Sequence, residues 1–262
     1  MISFLQRRIT FVLSFGLIVA LTLTNTRADT SDFASSGELR VGLYSGSPSS
    51  VIVNATNSQK VGVGYELGAA LAKVLDVKYV PIIFPKNADV FAAAKNSTVD
   101  LVFTNATPER SQVLQFSKPV VRIERGYLVN SQGAIHSVGD LDQPDVKVGV
   151  SVGSSSELEL TKILKSASVV RTNSTAEAVD MLKKGQLDAF STNKGILFEM
   201  SDQWAQGKVL DEVTGYESIA LGVPKTKTVD MQVINNFVDD LKVRGALNQM
   251  VQRAGLRGVA KD

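Results

Sequence analysis

The chain has 262 residues, with 28 lysines and arginines against 26 aspartates and glutamates, one histidine and no cysteine. Lack of cysteine excludes a disulfide framework, a thiolate metal site and a lipid-bearing cysteine, and the balanced charge gives no electrostatic case for nucleic acid or an anionic membrane as partner. The lone His136 sits in a polar stretch, no His/Cys cluster is present and no glycine-rich loop is followed by a phosphate-binding lysine, so neither catalytic triad, metal nor cofactor is expected.

The chain opens with Arg7 and Arg8 before an apolar run over residues 9–23, then Thr26-Arg27-Ala28 and a polar stretch. This pattern predicts a secretory signal peptide over residues 1–28, cleaved after Ala28. The apolar core over residues 11–23 is shorter than the roughly 20 residues a membrane span needs. Removing residues 1–28 takes away three arginines and no acid, leaving 25 basic residues against 26 acidic ones, so the pI of 8.7 belongs mainly to the leader. An exported protein without an anchor is expected to be soluble in a Gram-negative periplasm. The remainder can form one large domain or two lobes of roughly 100 residues each.

Residues 39–43 read as a strand and the run Tyr44-Ser45-Gly46-Ser47-Pro48-Ser49-Ser50 as turn chemistry. Gly64-Tyr65-Glu66-Leu67 opens a helix whose Leu67, Ala70, Leu71, Val74 and Leu75 share one face. A strand over 77–84, a helix over 89–96 and a buried strand over 99–103 follow. Residues 107–112 read as the first turn of a helix, and 120–123 and 126–130 as two β-type runs. A second alternating unit comprises a strand at 146–150, a helix at 158–165, a strand at 169–171, a helix at 175–184 and a strand at 187–190. A β-type run at 218–223 and an amphipathic helix at 231–244 complete the chain. Alternating strands and helices predict an α/β fold. The organisation expected is lobe one from residues 37–126 and 217–262 and lobe two from 127–216. Open α/β sheets bind ligands at the carboxyl ends of their strands, so two such edges would face each other across a cleft.

The strongest local signal runs from Val99 through Thr104-Asn105-Ala106-Thr107-Pro108-Glu109-Arg110. A buried strand ends in polar residues; Thr107 and Pro108 then suit the N-cap and first position of a helix, with Arg110 in its first turn. Free N–H groups, the helix dipole and the guanidinium fork would together favour a carboxylate. A plain capping role for Thr107 and a surface ion pair for Arg110 explain the same residues equally well. Gly153-Ser154-Ser155 reads as a helix N-terminus that accepts an anion, or simply as a serine cap.

These segments, with Phe116-Ser117-Lys118-Pro119, Gly185-Gln186-Leu187-Asp188-Ala189, the run from Ile219 to Lys225 and Gly245-Ala246-Leu247, fall in order from about Glu38 to Gly258. In that order they resemble the type 3 extracellular solute-binding proteins that serve polar amino-acid ABC importers. The resemblance implies the type II periplasmic-binding-protein fold, two α/β lobes joined by a two-strand hinge with the ligand cleft between them. It implies a periplasmic substrate-binding protein, not an enzyme, that captures a small carboxylate, most simply an amino acid or derivative, by cleft closure. It implies a monomer whose partners are that ligand and an ABC permease in the inner membrane. In that family the arginine in the place of Arg110 clamps the ligand's α-carboxylate, Thr104 and Asn105 line the cleft, and Ser154 and Ser155 offer hydroxyl and N–H groups to the same carboxylate.

Two departures matter. Asn193 stands where the family usually places an aspartate for the ligand's ammonium; an asparagine accepts a hydrogen bond but supplies no countercharge. The first loop lacks the Pro-Pro-Phe often found there, leaving Tyr44 as the aromatic wall or as packing within the lobe. Arg110 is then the one obvious fixed charge, which suits a monoanion with a small neutral or hydroxylated side chain. Two rival readings follow from the same fold: a dehydratase-like enzyme acting on a cyclic carboxylate, with Glu66 as its nearest candidate acid, and a ligand-sensing protein that docks on a membrane receptor.

Overall fold

The computed structural model describes residues 33–34, 36–54 and 56–261; the expected signal peptide over residues 1–28 lies outside the described residues. In chain order, the first part contains strands β1 (Glu38–Tyr44), β2 (Gly46–Ser47), β3 (Val51–Val53) and β4 (Lys60–Val61), helix α1 (Val63–Val74), β5 (Lys78–Phe84), α2 (Asn87–Lys95), β6 (Leu101–Asn105) and β7 (Leu114–Phe116). The long β8 (Val121–Asn130) leads into β9 (Lys147–Ser151), α3 (Ser155–Ile163), β10 (Ser168–Thr172), α4 (Thr175–Lys183), β11 (Ala189–Asn193), α5 (Lys194–Ser201) and β12 (Gly207–Val209). The chain closes with β13 (Gly215–Pro224), α6 (Met231–Val243) and α7 (Ala246–Arg253).

One sheet runs in the order β10-β9-β11-β8-β13-β6-β1-β5, with β12 paired to β8 and β7 to β13. At one end β1 is parallel to β5 and β6; at the other β9 is parallel to β10 and β11. Between these parallel units run β8 and β13, antiparallel to each other from Val121–Ile219 to Arg125–Gly215. The rest of β8 pairs with β11, and the rest of β13 pairs with β6 and β7. Each long strand therefore belongs to both halves. Pro81 is tolerated within β5 because β5 is an edge strand, where a missing N–H costs no ladder bond.

Local chemistry explains the helix starts. Ser154, Ser174 and Asn193 each cap a helix by accepting a hydrogen bond from the backbone N–H three residues on, in α3, α4 and α5, a contribution of about 1 kcal/mol per cap. The apolar faces of α1, α6 and α7 bury against β1, β6 and β13 in one cluster that includes Leu39, Leu67, Ile123 and Phe237. A second cluster runs continuously from Val90, Val99 and Val102 to Phe190, Leu197 and Trp204, so the two halves pack against each other.

The structure corrects several expectations. The residues after β6 form no α-helix at Thr107–Pro108, only a 3-10 turn at Arg110–Gln112, because β7 begins at Leu114 and leaves no length for one. A helix dipole at Arg110 is therefore absent, although Thr107 still accepts from the Arg110 N–H at 3.3 Å. The two β-type runs at 120–130 are one continuous strand; polar Glu124 and Arg125 disguise it, but their backbones stay paired with Tyr216 and Gly215. The expected turn after Tyr44 contributes β2 to a three-stranded antiparallel sheet with β3 and β4.

Candidate functional site: a cleft that holds two opposite charges apart

The parallel strands of both halves end at one cleft, as the topology requires of open α/β sheets. Tyr44, at the end of β1, and Thr104 and Asn105, at the end of β6, meet Ser154 and Ser155 at the start of α3 and Asn193 at the end of β11. Arg110 and Glu217 complete the wall, with Phe103, Ile196 and Ile219 as apolar surface. The seven residues singled out from sequence thus line a single cavity. Its free space is about 40 Å³, room for a few waters at roughly 10–15 Å³ each.

Arg110 is 7% exposed. Its Nη1 donates to Thr104 Oγ1 at 2.6 Å and to the Asn105 carbonyl at 3.3 Å, and its Nη2 donates to the Gly153 carbonyl at 3.1 Å. All three acceptors are neutral. Burial lowers the pKa of the guanidinium, opposed by Glu217 and Glu109; Arg110 stays charged, since arginine does not deprotonate in proteins. The Gly153 bond reaches from one half of the molecule to the other. Gly153 has φ +73, and a Cβ there would lie 2.9 Å from Ala88 Cα on α2, so this glycine permits both the turn and the close approach across the cleft.

Glu217 is 6% exposed and sits on β13. Its Oε1 accepts from Ser155 Oγ at 2.6 Å and its Oε2 from Asn193 Nδ2 at 2.8 Å. Asn193 is doubly committed: its Oδ1 caps α5 by accepting from the Ile196 N–H at 3.2 Å. The cap needs an acceptor and Glu217 needs a donor, which fixes the orientation of the amide. Asn193 Oδ1 thus spends one of its two lone pairs on the backbone.

Other predicted residues take narrower roles. Asn105 presents its backbone to Arg110 while its side-chain oxygen accepts from the Ser218 N–H at 2.9 Å. Ser154 Oγ accepts from the Glu157 N–H at 3.1 Å as the cap of α3. Burial pushes the Tyr44 hydroxyl pKa up, and Ser151 and Thr175 on the other half pull it back. Tyr44 is therefore a contact between the halves as well as a cleft wall. Glu66 is not among the residues lining the cleft: it pairs with Arg253 of α7 at 2.5 Å.

Sequence reasoning missed Glu217, and with it the second fixed charge of the cleft. One signal was available: Glu217 is in period-two phase with Ile219, Leu221 and Val223, all buried, so it is an acid on an inward strand face. Ser47, Ser49 and Ser50 were also missed; the hydroxyls of Ser47 and Ser49 bond each other at 2.7 Å, and Ser50 Oγ accepts from the Tyr44 N–H at 2.9 Å.

A family model for bacterial extracellular solute-binding proteins, family 3, matches residues 39–256. The chain belongs to that family. It is 26% identical over 172 residues to the amino-acid-binding protein AabA of Dichelobacter nodosus, covering 63% of this chain and 67% of that protein. It is 28% identical over 163 residues to a glutamine-binding protein of Geobacillus stearothermophilus, covering 62% of this chain and 58% of that relative's length. Among solved structures it resembles the ancestral amino acid-binding protein AncCDT-1, a precursor of cyclohexadienyl dehydratase, with 28% identity, a TM-score of 0.71, and coverage of 84% of this chain and 96% of that one. The architecture is the type II periplasmic-binding-protein fold, a mixed α/β arrangement of two lobes.

Among the described residues no helix is long and apolar enough to cross a membrane, and no group of three or more His, Cys, Asp or Glu residues is placed to hold a metal ion.

Proposed function

We propose that this chain is the solute-capturing component of an ABC importer, and that it closes two lobes around a small carboxylate-bearing solute, an amino acid or a close derivative. Arg110 carries the reading: a buried guanidinium at the carboxyl end of β6, donating only to neutral oxygens, with one of those oxygens supplied by the opposite lobe. A ligand carboxylate would replace those neutral acceptors with a bidentate charged one, adding attraction between opposite charges to each bond. Because the closed form alone brings Arg110 and the Gly153–Ser155 turn together, the ligand shifts the open–closed equilibrium by its greater affinity for the closed state.

In this reading residues 37–126 and 217–262 form lobe one and 127–216 form lobe two, with the boundaries within β8 and β13. Ser154 and Ser155 serve the carboxylate from lobe two, Thr104 and Asn105 from lobe one, and Tyr44 joins them on closure. Residues 1–28 direct export to a periplasm, where the monomer delivers its solute to an inner-membrane permease. The family membership and the named relatives support this reading; the small cleft speaks against a cyclic carboxylate substrate, and Glu66, the acid weighed for such an enzyme, is engaged elsewhere.

The test is a thermal-shift screen of residues 29–262 against the standard amino acids, amine-free organic acids and phosphorylated compounds. A ligand that binds only the folded state raises the melting temperature, by about 2.7 kcal/mol of added stability at one hundred times Kd. Stabilisation by one carboxylate class, lost in Arg110→Ala, is the expected result. Stabilisation by a phosphorylated compound that survives Arg110→Ala would overturn it.

A further inference from the structure

We infer that Glu217, on the crossing strand β13, is the acceptor for the ligand's ammonium group, and that the cleft is built for zwitterionic α-amino acids with small uncharged side chains. This rests on the capture reading above and adds to it the second charge and the substrate class.

Among the described residues, Arg110 and Glu217 are the only charged side chains that line the cleft, one of each sign. They are not paired with each other: Arg110 donates to a hydroxyl and two carbonyls, and Glu217 accepts from a hydroxyl and an amide. Two opposite charges held apart, each satisfied by neutral groups, form the complement of a molecule that carries an anion and a cation a few ångströms apart. A carboxylate offers about four lone-pair positions, and the protein uses one on each oxygen of Glu217, so acceptor capacity remains.

The neighbouring residues fit this assignment. Asn193 is the weaker acceptor for the ammonium, because its oxygen is uncharged and already caps α5, and its amide nitrogen faces Glu217. An aspartate at 193 would place a carboxylate oxygen against Glu217 Oε2, where the amide nitrogen now sits at 2.8 Å, and two carboxylates at that distance cannot both ionise. A single countercharge can therefore occupy residue 193 or residue 217 but not both, and in this chain it occupies 217, with Asn193 and Ser155 as positioning residues. A charged side chain on the ligand would find no partner among the cleft residues, and the space of about 40 Å³ leaves little room for a long one.

The experiment is isothermal titration of the wild-type protein, Glu217→Gln and the double variant Glu217→Gln/Asn193→Asp with each standard L-amino acid, and with acetate, propanoate and lactate, with a thermal melt for each protein. The wild type is expected to prefer a small neutral amino acid over all three amine-free acids. Glu217→Gln is expected to weaken that amino acid at least tenfold while changing the amine-free acids less than threefold, and the double variant to regain at least part of the loss by returning the carboxylate to position 193. Amino-acid binding that changes less than threefold in a folded Glu217→Gln overturns this assignment alone. Preference of the wild type for an amine-free acid, or for a basic or acidic amino acid, overturns the substrate class but leaves carboxylate capture standing. Binding of no carboxylate at all overturns the capture reading and this inference with it.

Discussion

At the N-terminal end of β6, Asp100 is met by two cations: Arg40 donates to its Oδ1 at 2.8 Å and its Oδ2 at 3.0 Å, and Lys227 sits 2.9 Å from Oδ1. At the C-terminal end of the same strand, Arg110, ten residues on, is also buried, yet every hydrogen bond its side chain makes goes to a neutral oxygen. Glu217, across the same cleft, likewise accepts only from neutral donors. Burial of a charge is costly in both places. At the first end the protein offsets that cost with its own ions, and the cluster ties β1, β6 and the segment before α6 together. At the second it makes do with dipoles, which are weaker partners, and so leaves both charges able to gain by meeting an incoming ion. Charge neutralised from within holds structure; charge satisfied by neutral groups is poised for a ligand.

The comparison predicts that the two ends fail differently when cut. The largest effect is expected at the cleft. Arg110→Ala would remove the proposed bidentate clamp, in which each charge-assisted bond contributes about 1.5–3 kcal/mol, so ligand affinity should fall at least a hundredfold by titration calorimetry. The melting temperature of the free protein should hardly drop, since the lost bonds go to neutral groups and a costly buried charge leaves with them. A large loss of stability without loss of affinity would mean that Arg110 belongs with Asp100 as a structural ion.

Asp100→Asn should do the reverse. Breaking a buried pair by removing one partner typically costs about 3–5 kcal/mol; Arg40 keeps about a third of its side-chain exposure and Lys227 a fifth, which pulls the expected loss toward the lower figure. Affinity of the folded variant should stay within threefold of wild type. The same site sets an acid limit. Burial pushes the Asp100 carboxyl up, but hydrogen bonds from Arg40 and Lys227 outweigh it and hold its pKa below the ordinary value of 3.8. A depressed carboxylate contributes stability that is full above the unfolded pKa and is lost as pH falls through the folded one. Urea melts from pH 6 downward should therefore show wild type losing stability below about pH 4, the ordinary aspartate range, with Asp100→Asn losing less over that window. Parallel curves would sink the assignment.

The contrast also explains what could be read from the residues in order. Alternation of strands and helices, the two-lobe pattern and the place of Arg110 in the cleft wall were legible because each is carried by contiguous residues: a buried strand, a polar end and a basic residue soon after. The helix expected at Thr107 and Pro108 was not there, because a capping pair states how a helix could begin, while the return of β7 at Leu114 decides whether there is room for one. Helix α5 went unread: Lys194 and Gly195 open it, and a lysine suggests solvent, whereas Lys194 is buried with its Nζ on Glu124 at 3.0 Å and on the Asp211 carbonyl at 2.9 Å. Glu217 was hidden for a related reason. Its meaning depends on the Arg110 that faces the same cavity, and that neighbourhood exists only once β13 has been laid between β6 and β8.

Gly153→Ala makes the smallest expected change and separates two costs that the fold superimposes. Residue 153 holds φ +73, where an L side chain adds about 1 kcal/mol of strain in either lobe arrangement; for a chain of this size that lowers the melting temperature by about 2–4 °C. The added Cβ would also lie 2.9 Å from Ala88 Cα and 3.0 Å from Ala88 Cβ, a conflict that exists only when the lobes are closed, because α2 and the turn before α3 belong to opposite lobes. Closure and binding are one equilibrium in the proposed mechanism, so this second cost should appear in affinity, as a weakening of about tenfold, or roughly 1.4 kcal/mol. It should also appear in small-angle scattering as a ligand-saturated form that remains more extended than wild type. A fall in melting temperature with affinity unchanged would place the strain correctly and the closure contact wrongly, and the bond from Arg110 to the Gly153 carbonyl would then no longer connect ligand capture to the movement of the lobes.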